Sequence, residues 1–223
     1  MEERTWEGEC LLCNGTYGKR QMTKHLRECI KSKVISEASP KTRLVHIVVE
    51  GRYAPEYWLH LEAKANAELE SLDSFLRDIW LECCGHMSAF RIEGEEYASG
   101  GPWPELGDKG MGVRLGDVLK VGMKFEHEYD FGTTTHVALE VVSERQGEMK
   151  GKPIRLLARN EPPSILCELC GKPATQVCAQ CIYEGKGWLC DECAQEHECG
   201  EEMFLPVVNS PRVGMCGYTG QAW

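Results

Sequence analysis

The sequence predicts an α+β protein, mainly an antiparallel sheet with one principal helix, flanked by two small zinc-binding modules. Three observations predict this fold class. Residues 44–49 form an apolar, β-branched run interrupted only by His46, and residues 57–63 alternate with a period of two, as strands do. A later apolar stripe repeats every three and four residues, which is typical of a helix. The thirteen cysteines gather mostly near the two ends of the chain.

The principal helix is predicted from the stripe that runs from Leu69 to Cys83, with Ser71 as its N-cap. Cys83 continues the stripe, so we expect it in the core. Cys84 would then point about 100° away around the helix, so the two cysteines are not expected to share an ion. Residues 94–116 are predicted to form a loop, and further strands are predicted at residues 89–93, 124–130, 136–143 and 154–158.

Local composition and the positions of proline suggest how the chain is organised. One boundary is a stretch of small, polar residues that contains Pro40, and a second boundary lies at Pro162 and Pro163. The predicted parts are a zinc finger at 1–34, a linker at 35–42, an α+β domain at 43–160 and a two-zinc module at 161–223.

No run approaches the roughly 20 apolar residues of a membrane span, and the acidic start does not resemble a signal peptide. A cytoplasmic protein is therefore expected, in which cysteines serve as metal ligands rather than disulfides.

The first metal motif is a Cys-Cys-His-Cys set near the start of the chain. The two-residue gap between Cys10 and Cys13 suits a tight knuckle, and His25 and Cys29, four apart, share one face of a helix. A unit of this size cannot bury enough surface to fold alone, so zinc must supply folding energy. The motif resembles the classical zinc-finger superfamily, with cysteine as the fourth ligand.

A basic stretch accompanies the finger and is the candidate nucleic-acid contact. Its residues are Lys19, Arg20, Lys24 and Arg27. The net charge of −10 argues against a chain that binds duplex nucleic acid over its whole surface. A solvated helix face, which is the commoner fate of such a run of charges, also explains these residues.

The second metal motif supplies eight ligands in four pairs, enough for two tetrahedral zincs and a total of three per chain. The ligands are Cys167, Cys170, Cys178, Cys181, Cys190, Cys193, His197 and Cys199. Spacing leaves cross-braced and sequential pairing open, and Cys216 is an alternative to Cys199. The layout resembles the cross-brace modules of the B-box and MYND type. That resemblance implies one site from the first and third pairs and another from the second and fourth. Four protein ligands would close each site, which indicates structural zinc.

The middle of the chain carries a family resemblance over residues 42–145. Its motifs are the helix segment 75–80, His86 with Phe90, and Tyr129-Asp-Phe-Gly132 followed by His136. These residues resemble the plasmid Ri open-reading-frame-three-like family, also called the insertion-element passenger TnpR-like family. The resemblance implies a link to mobile elements and no established activity. Thr133 stands where the family has a second aspartate.

The hairpin of this motif allows two interpretations. With a turn at residues 131–134, Tyr129 and His136 become cross-strand neighbours and Asp130 caps the turn through its amides. Alternatively, His86, Asp130 and His136 form the pocket of a hydrolase. The sequence favours the first interpretation. The predicted function is that of a zinc-binding adaptor or regulatory protein with a protein or nucleic-acid partner, linked to mobile elements through the resemblance.

Overall fold

The computed structural model describes residues 6–33, 42–102, 105 and 107–220. The chain forms two compact units, Met1–Phe75 with Met87–Glu161 and Leu76–His86 with Pro162–Trp223. The predicted linker lies outside the described residues except for Thr42, which begins a strand. The predicted four-part organisation stays a prediction, because compactness does not test where the chain would divide on its own.

The first unit is built on a nine-stranded sheet in which every neighbouring pair is antiparallel. The strand order is β2-β1-β9-β4-β3-β8-β7-β5-β6. The predicted α+β class is confirmed. The strands are β1 Glu7–Cys10, β2 Thr16–Gly18, β3 Thr42–Gly51, β4 Trp58–Lys64, β5 Ser88–Ile92, β6 Glu95–Ala98, β7 Lys124–Tyr129, β8 Thr135–Gly147 and β9 Ile154–Asn160. Strand β6 lies in the segment predicted to be a loop.

Strand β4 is buried on both faces, polar residues included. Glu62 is 1% exposed, and its carboxylate accepts hydrogen bonds from the guanidinium groups of Arg145 and Arg155. His60 is fully buried and lies 2.9 Å, nitrogen to nitrogen, from the ring of His46 on β3. A buried polar group is tolerated when it is paired. The alternation of apolar and polar residues along β4 therefore does not mark a face that is exposed to solvent.

The buried histidine pair should make the folded protein sensitive to acid. Burial lowers the pKa of His46 to about 4 and the pKa of His60 well below 6.5. The unfolded chain therefore binds more protons than the folded chain between about pH 6.5 and pH 4. Stability should fall as the pH drops through that window, by up to about 1.4 kcal/mol per pH unit for one histidine. Urea midpoints measured from pH 7 to pH 4.5 should show a shallower loss for His46→Gln than for the wild type. Equal slopes in the two proteins would contradict the assignment.

The principal helix ends earlier than predicted. Helix α2 spans Leu69–Leu76 and continues as one π-helical turn at Arg77–Leu81. Glu82 is already extended, and its carboxylate pairs with Arg77 and accepts the N–H of Gly85. These contacts close a turn, so the expectation that Cys83 belongs to a helical core stripe is wrong. The other helices are α1 Lys19–Lys33, α3 Leu115–Val118 and α4 Asp191–Ala194.

The β7–β8 hairpin differs from its prediction by one residue of register. Tyr129 faces Thr135, and His136 faces Glu128 rather than Tyr129. Asp130 has a left-handed backbone, with φ at 65°, and its carboxylate accepts the N–H groups of Gly132 and Thr133 at 3.0 and 3.2 Å. The predicted cap is confirmed, but Asp130 belongs to the turn itself, which is why the predicted cross-strand pair of Tyr129 and His136 is wrong.

The second unit contains a three-stranded sheet in the order β11-β10-β12. Its strands are β10 Gln176–Cys178, β11 Trp188–Leu189 and β12 Phe204–Pro206. Single 3-10 turns lie at Cys181–Glu184 and Glu201–Met203. Such short elements bury little apolar surface, so the stability of this unit must depend on interactions other than the packing of its strands and helices. Among the helices of the described residues, none is long and apolar enough to cross a membrane.

Candidate metal centres

All thirteen cysteines and three of the seven histidines fall into four groups of four. Within each group the potential ligand atoms lie within 4.8 Å of one another. Two sulfurs on a tetrahedral zinc are about 3.8 Å apart, given a zinc–sulfur distance of about 2.3 Å. The donor set and its spacing therefore fit zinc in all four groups, whereas the sequence predicted three sites.

The finger group brings together Cys10, Cys13, His25 and Cys29. The sulfurs of Cys10 and Cys29 are 3.9 Å apart, and Cys13 Sγ lies 3.3 Å from His25 Nε2. The ring of Tyr17 stacks on His25 at 3.9 Å and fixes its orientation. Burial lowers the pKa of His25, which favours the neutral ring that a metal ligand requires.

The finger is part of the large sheet. Strand β1 pairs with β2 on one side and with β9 on the other. Gly8 permits this approach, because a Cβ there would lie 2.5 Å from the ring of Trp58. Residues of the finger share one buried cluster with residues of β4 and β9, namely Cys10, Met22, Leu26, Cys29, Ile30, Trp58, Leu157 and Ala158.

The first C-terminal group contains Cys167, Cys170, Cys190 and Cys193. The sulfurs of Cys170 and Cys190 are 3.6 Å apart. Burial raises the pKa of Cys167, but the N–H groups of Cys190, Cys170 and Leu169 outweigh it and lower that pKa to about 6. These amides favour the thiolate, which is the form that binds metal.

The second C-terminal group contains Cys178, Cys181, His197 and Cys199. Cys181 Sγ lies 3.4 Å from His197 Nε2 and 3.7 Å from Cys199 Sγ. Burial raises the pKa of Cys178, while amides of Cys181 and Gln180 help to lower it to about 7. The two C-terminal groups alternate along the chain, which is the cross-braced order, and Cys199 rather than Cys216 joins this group.

The fourth group was missed by sequence reasoning. It contains Cys83, Cys84, His86 and Cys216. The adjacent cysteines were expected to point apart on a helix, but the helix ends at Leu81 and their sulfurs lie 3.6 Å apart. One signal was available, because three predicted sites leave three of the thirteen cysteines without a role.

The three residues of the alternative hydrolase pocket fall in different units. His86 belongs to the fourth cysteine group of the second unit. In the first unit, Asp130 caps its turn, and His136 Nδ1 lies 3.4 Å from the carboxylate of Glu128. The ring of Tyr53 meets His136 edge-on at 5.4 Å. The contacts of Asp130 and His136 thus join the residues of the hairpin to one another and to Tyr53.

Comparison with known proteins gives no family assignment. No family model matches the chain, and no curated protein matches it. Among solved structures, the crystal structure of a protein of unknown function from Methanosarcina mazei Go1 is similar, with a TM-score of 0.48 and 13% sequence identity. The alignment covers 73% of this chain and 86% of that chain.

Proposed function

We propose that the chain is a cytoplasmic adaptor or regulatory protein in which structural zinc ions hold small modules in shape for binding a partner. The observation that carries the proposal is the assembly of the twelve predicted ligands into three complete sets of four. A set of four protein ligands leaves a tetrahedral ion no open position for a catalytic water, so these ions would stabilise structure. The link to mobile elements implied by the resemblance of residues 42–145 belongs to this proposal.

Helix α1 offers the surface that we assign to the partner. Arg20, Lys24 and Arg27 are exposed, and their spacing of four and three places them on one side of the helix. We call these three residues the basic stripe. Lys19 is excluded from it, because its ammonium group pairs with Glu50, donates to the carbonyl of Pro55 at 3.0 Å and lies over the Trp6 ring.

The surroundings of the stripe favour a protein partner over nucleic acid. Arg20 and Arg27 line a groove that also contains the carboxylates of Glu50 and Glu140. A groove that carries both signs of charge suits a protein, which can present both signs, better than a phosphate backbone, which presents only one. Nucleic acid remains the other outcome of the test.

The stripe can be tested by charge reversal. We expect the combined Arg20→Glu, Lys24→Glu and Arg27→Glu variant to lose a partner that wild-type protein captures from native cells. The matched control reverses Lys109, Lys150 and Lys152, which are also exposed cations of the same unit and do not line this groove. It should retain the partner.

The class of partner follows from a salt series with the same proteins. If a nucleic-acid probe binds instead, its affinity should fall steeply with salt, with a log–log slope of up to about −3 for three phosphate contacts. Retention of every partner by the stripe variant would refute the assignment of this surface.

A further inference from the structure

We propose that Cys83, Cys84, His86 and Cys216 form a fourth zinc site, which clamps two segments of the second unit that are far apart in sequence. The inference goes beyond the proposed function, since that function rests on three other sites and on a surface of the first unit.

The geometry of the group is that of a ligand set. Cys84 Sγ lies 3.0 Å from His86 Nε2 and 3.9 Å from Cys216 Sγ, and His86 Nε2 lies 3.2 Å from Cys216 Sγ. With Cys83, all four donor atoms converge within 4.8 Å. Three sulfurs and one imidazole nitrogen form a Cys₃His set, which is a known zinc combination.

The local backbone explains how adjacent cysteines reach one point. After the helix ends, Glu82 is extended, and Gly85 has a φ of 78°, a left-handed conformation that favours glycine. This turn brings the His86 ring back beside Cys84. An α-helix would instead separate the two cysteine side chains by about 100°.

The charge around the group matches an occupied site. Zn²⁺ with three thiolates and a neutral imidazole carries a net charge of −1. Arg212 is fully buried and directs a guanidinium N–H to Cys83 Sγ at 3.3 Å. A thiolate bound to zinc would accept this charged N–H donor more strongly than a neutral thiol would.

The two segments already touch on either side of the group. Ser210 Oγ donates to the carbonyl oxygen of Trp80 at 2.6 Å, and Arg212 reaches Cys83. Through its coordinate bonds, the ion would link residues 83–86 to Cys216, which lies about 130 positions further along the chain. That connection fixes the segment after β12 in a unit that has only short strands.

Two other roles for these thiols are less compatible with the arrangement. A disulfide needs sulfurs at about 2.05 Å, far less than the 3.6 Å between Cys83 and Cys84. A Cys84 nucleophile activated by His86 needs an open approach to its sulfur, but Cys83 and Cys216 place two further sulfurs within 3.9 Å of it.

Metal counting tests the proposal. Full-length protein, grown with added zinc and purified without chelator, should carry four zinc ions by native mass spectrometry. Cys216→Ser and Cys84→Ser should each carry three, and Thr219→Ser, a change at an exposed neighbour, should carry four. Cobalt substitution gives a second measurement, because the difference spectrum between wild type and Cys216→Ser should show the bands of one tetrahedral Cys₃His centre.

The clamp itself is tested by hydrogen exchange. Cys216→Ser should lose protection at residues 82–86 and 210–218 together. The proposal is overturned if the wild type carries only three ions, if Cys216→Ser carries as many as the wild type, or if the intact mass shows a disulfide among these cysteines. A wild type with three ions leaves the proposed function standing, whereas fewer than three would count against that function instead.

Discussion

Replacing Cys178 with serine should remove two zinc ions from the C-terminal module, not one. Cys178 is fully buried and belongs to the second C-terminal group. The chain between Cys170 and Cys190, two ligands of the first group, passes through Cys178 and Cys181. Loss of the ion that holds this loop should therefore release both groups.

The ions are the main support of the two knuckles in each group. The buried apolar cluster around the first group is small and consists of Cys167, Leu189, Cys190 and Ala194. Structural zinc contributes on the order of 10 kcal/mol to the folding of small modules, far more than such a cluster supplies. We expect the residues around β10 to β12 to lose their protection from hydrogen exchange.

The measurement is zinc content by native mass spectrometry alongside hydrogen exchange. Glu184→Gln provides a control in the same loop, since Glu184 is an exposed carboxylate that forms a surface ion pair with Lys186. It should retain every ion. A Cys178→Ser protein that lacks a single ion and keeps its protection at Cys167 and Cys190 would show that the two groups fold independently.

Replacing Cys10 with serine should destabilise the large sheet as well as the finger. From the sequence alone, the finger is a separate module whose loss would leave the rest of the chain intact. In the structure, Cys10 pairs with Ala158 of β9 and packs in a cluster that includes Trp58 and Leu157. Release of the ion therefore exposes a face of the sheet.

The expected result is the loss of one zinc ion and a fall of several kcal/mol in the stability of the first unit. This corresponds to a thermal transition lower by on the order of 10 °C. Calorimetry compares the variant with Glu9→Gln, whose side chain projects from the opposite, exposed side of β1. An unchanged transition in a protein that has lost the finger ion would argue against the shared core.

Local spacing made most of the metal ligands predictable. A Cys-x-x-Cys pair folds into a knuckle through contacts within a few residues, so its geometry follows from its sequence. The central strands were predictable for a similar reason, since β-branched runs such as residues 44–49 favour strands in most settings. The sequence could also suggest that Asp130 caps a turn, because a short side chain reaches the amides beside it.

Specific contacts that periodicity and ligand spacing do not encode decided what the sequence did not predict. The finger motif is compatible with a short strand at Glu7–Cys10, but the pairing of that strand with β9 depends on the edge that β9 provides. The fourth group needed the helix to stop at Leu81, and that stop follows from the contacts of Glu82 with Arg77 and Gly85. Periodicity alone could not reveal that stop, because Cys83 continues the apolar pattern.

The order of the ligands along the chain has a consequence for synthesis on the ribosome. The finger ligands are complete once Cys29 has emerged, but neither C-terminal site can close before Cys193 or Cys199. The proposed fourth site must wait longest, since Cys216 follows His86 by 130 residues. At about 5–20 residues per second, three ligands of that site stay open to solvent and cellular thiols for roughly 10 seconds. A nascent chain would therefore complete its metal sites from the front of the sequence to the back.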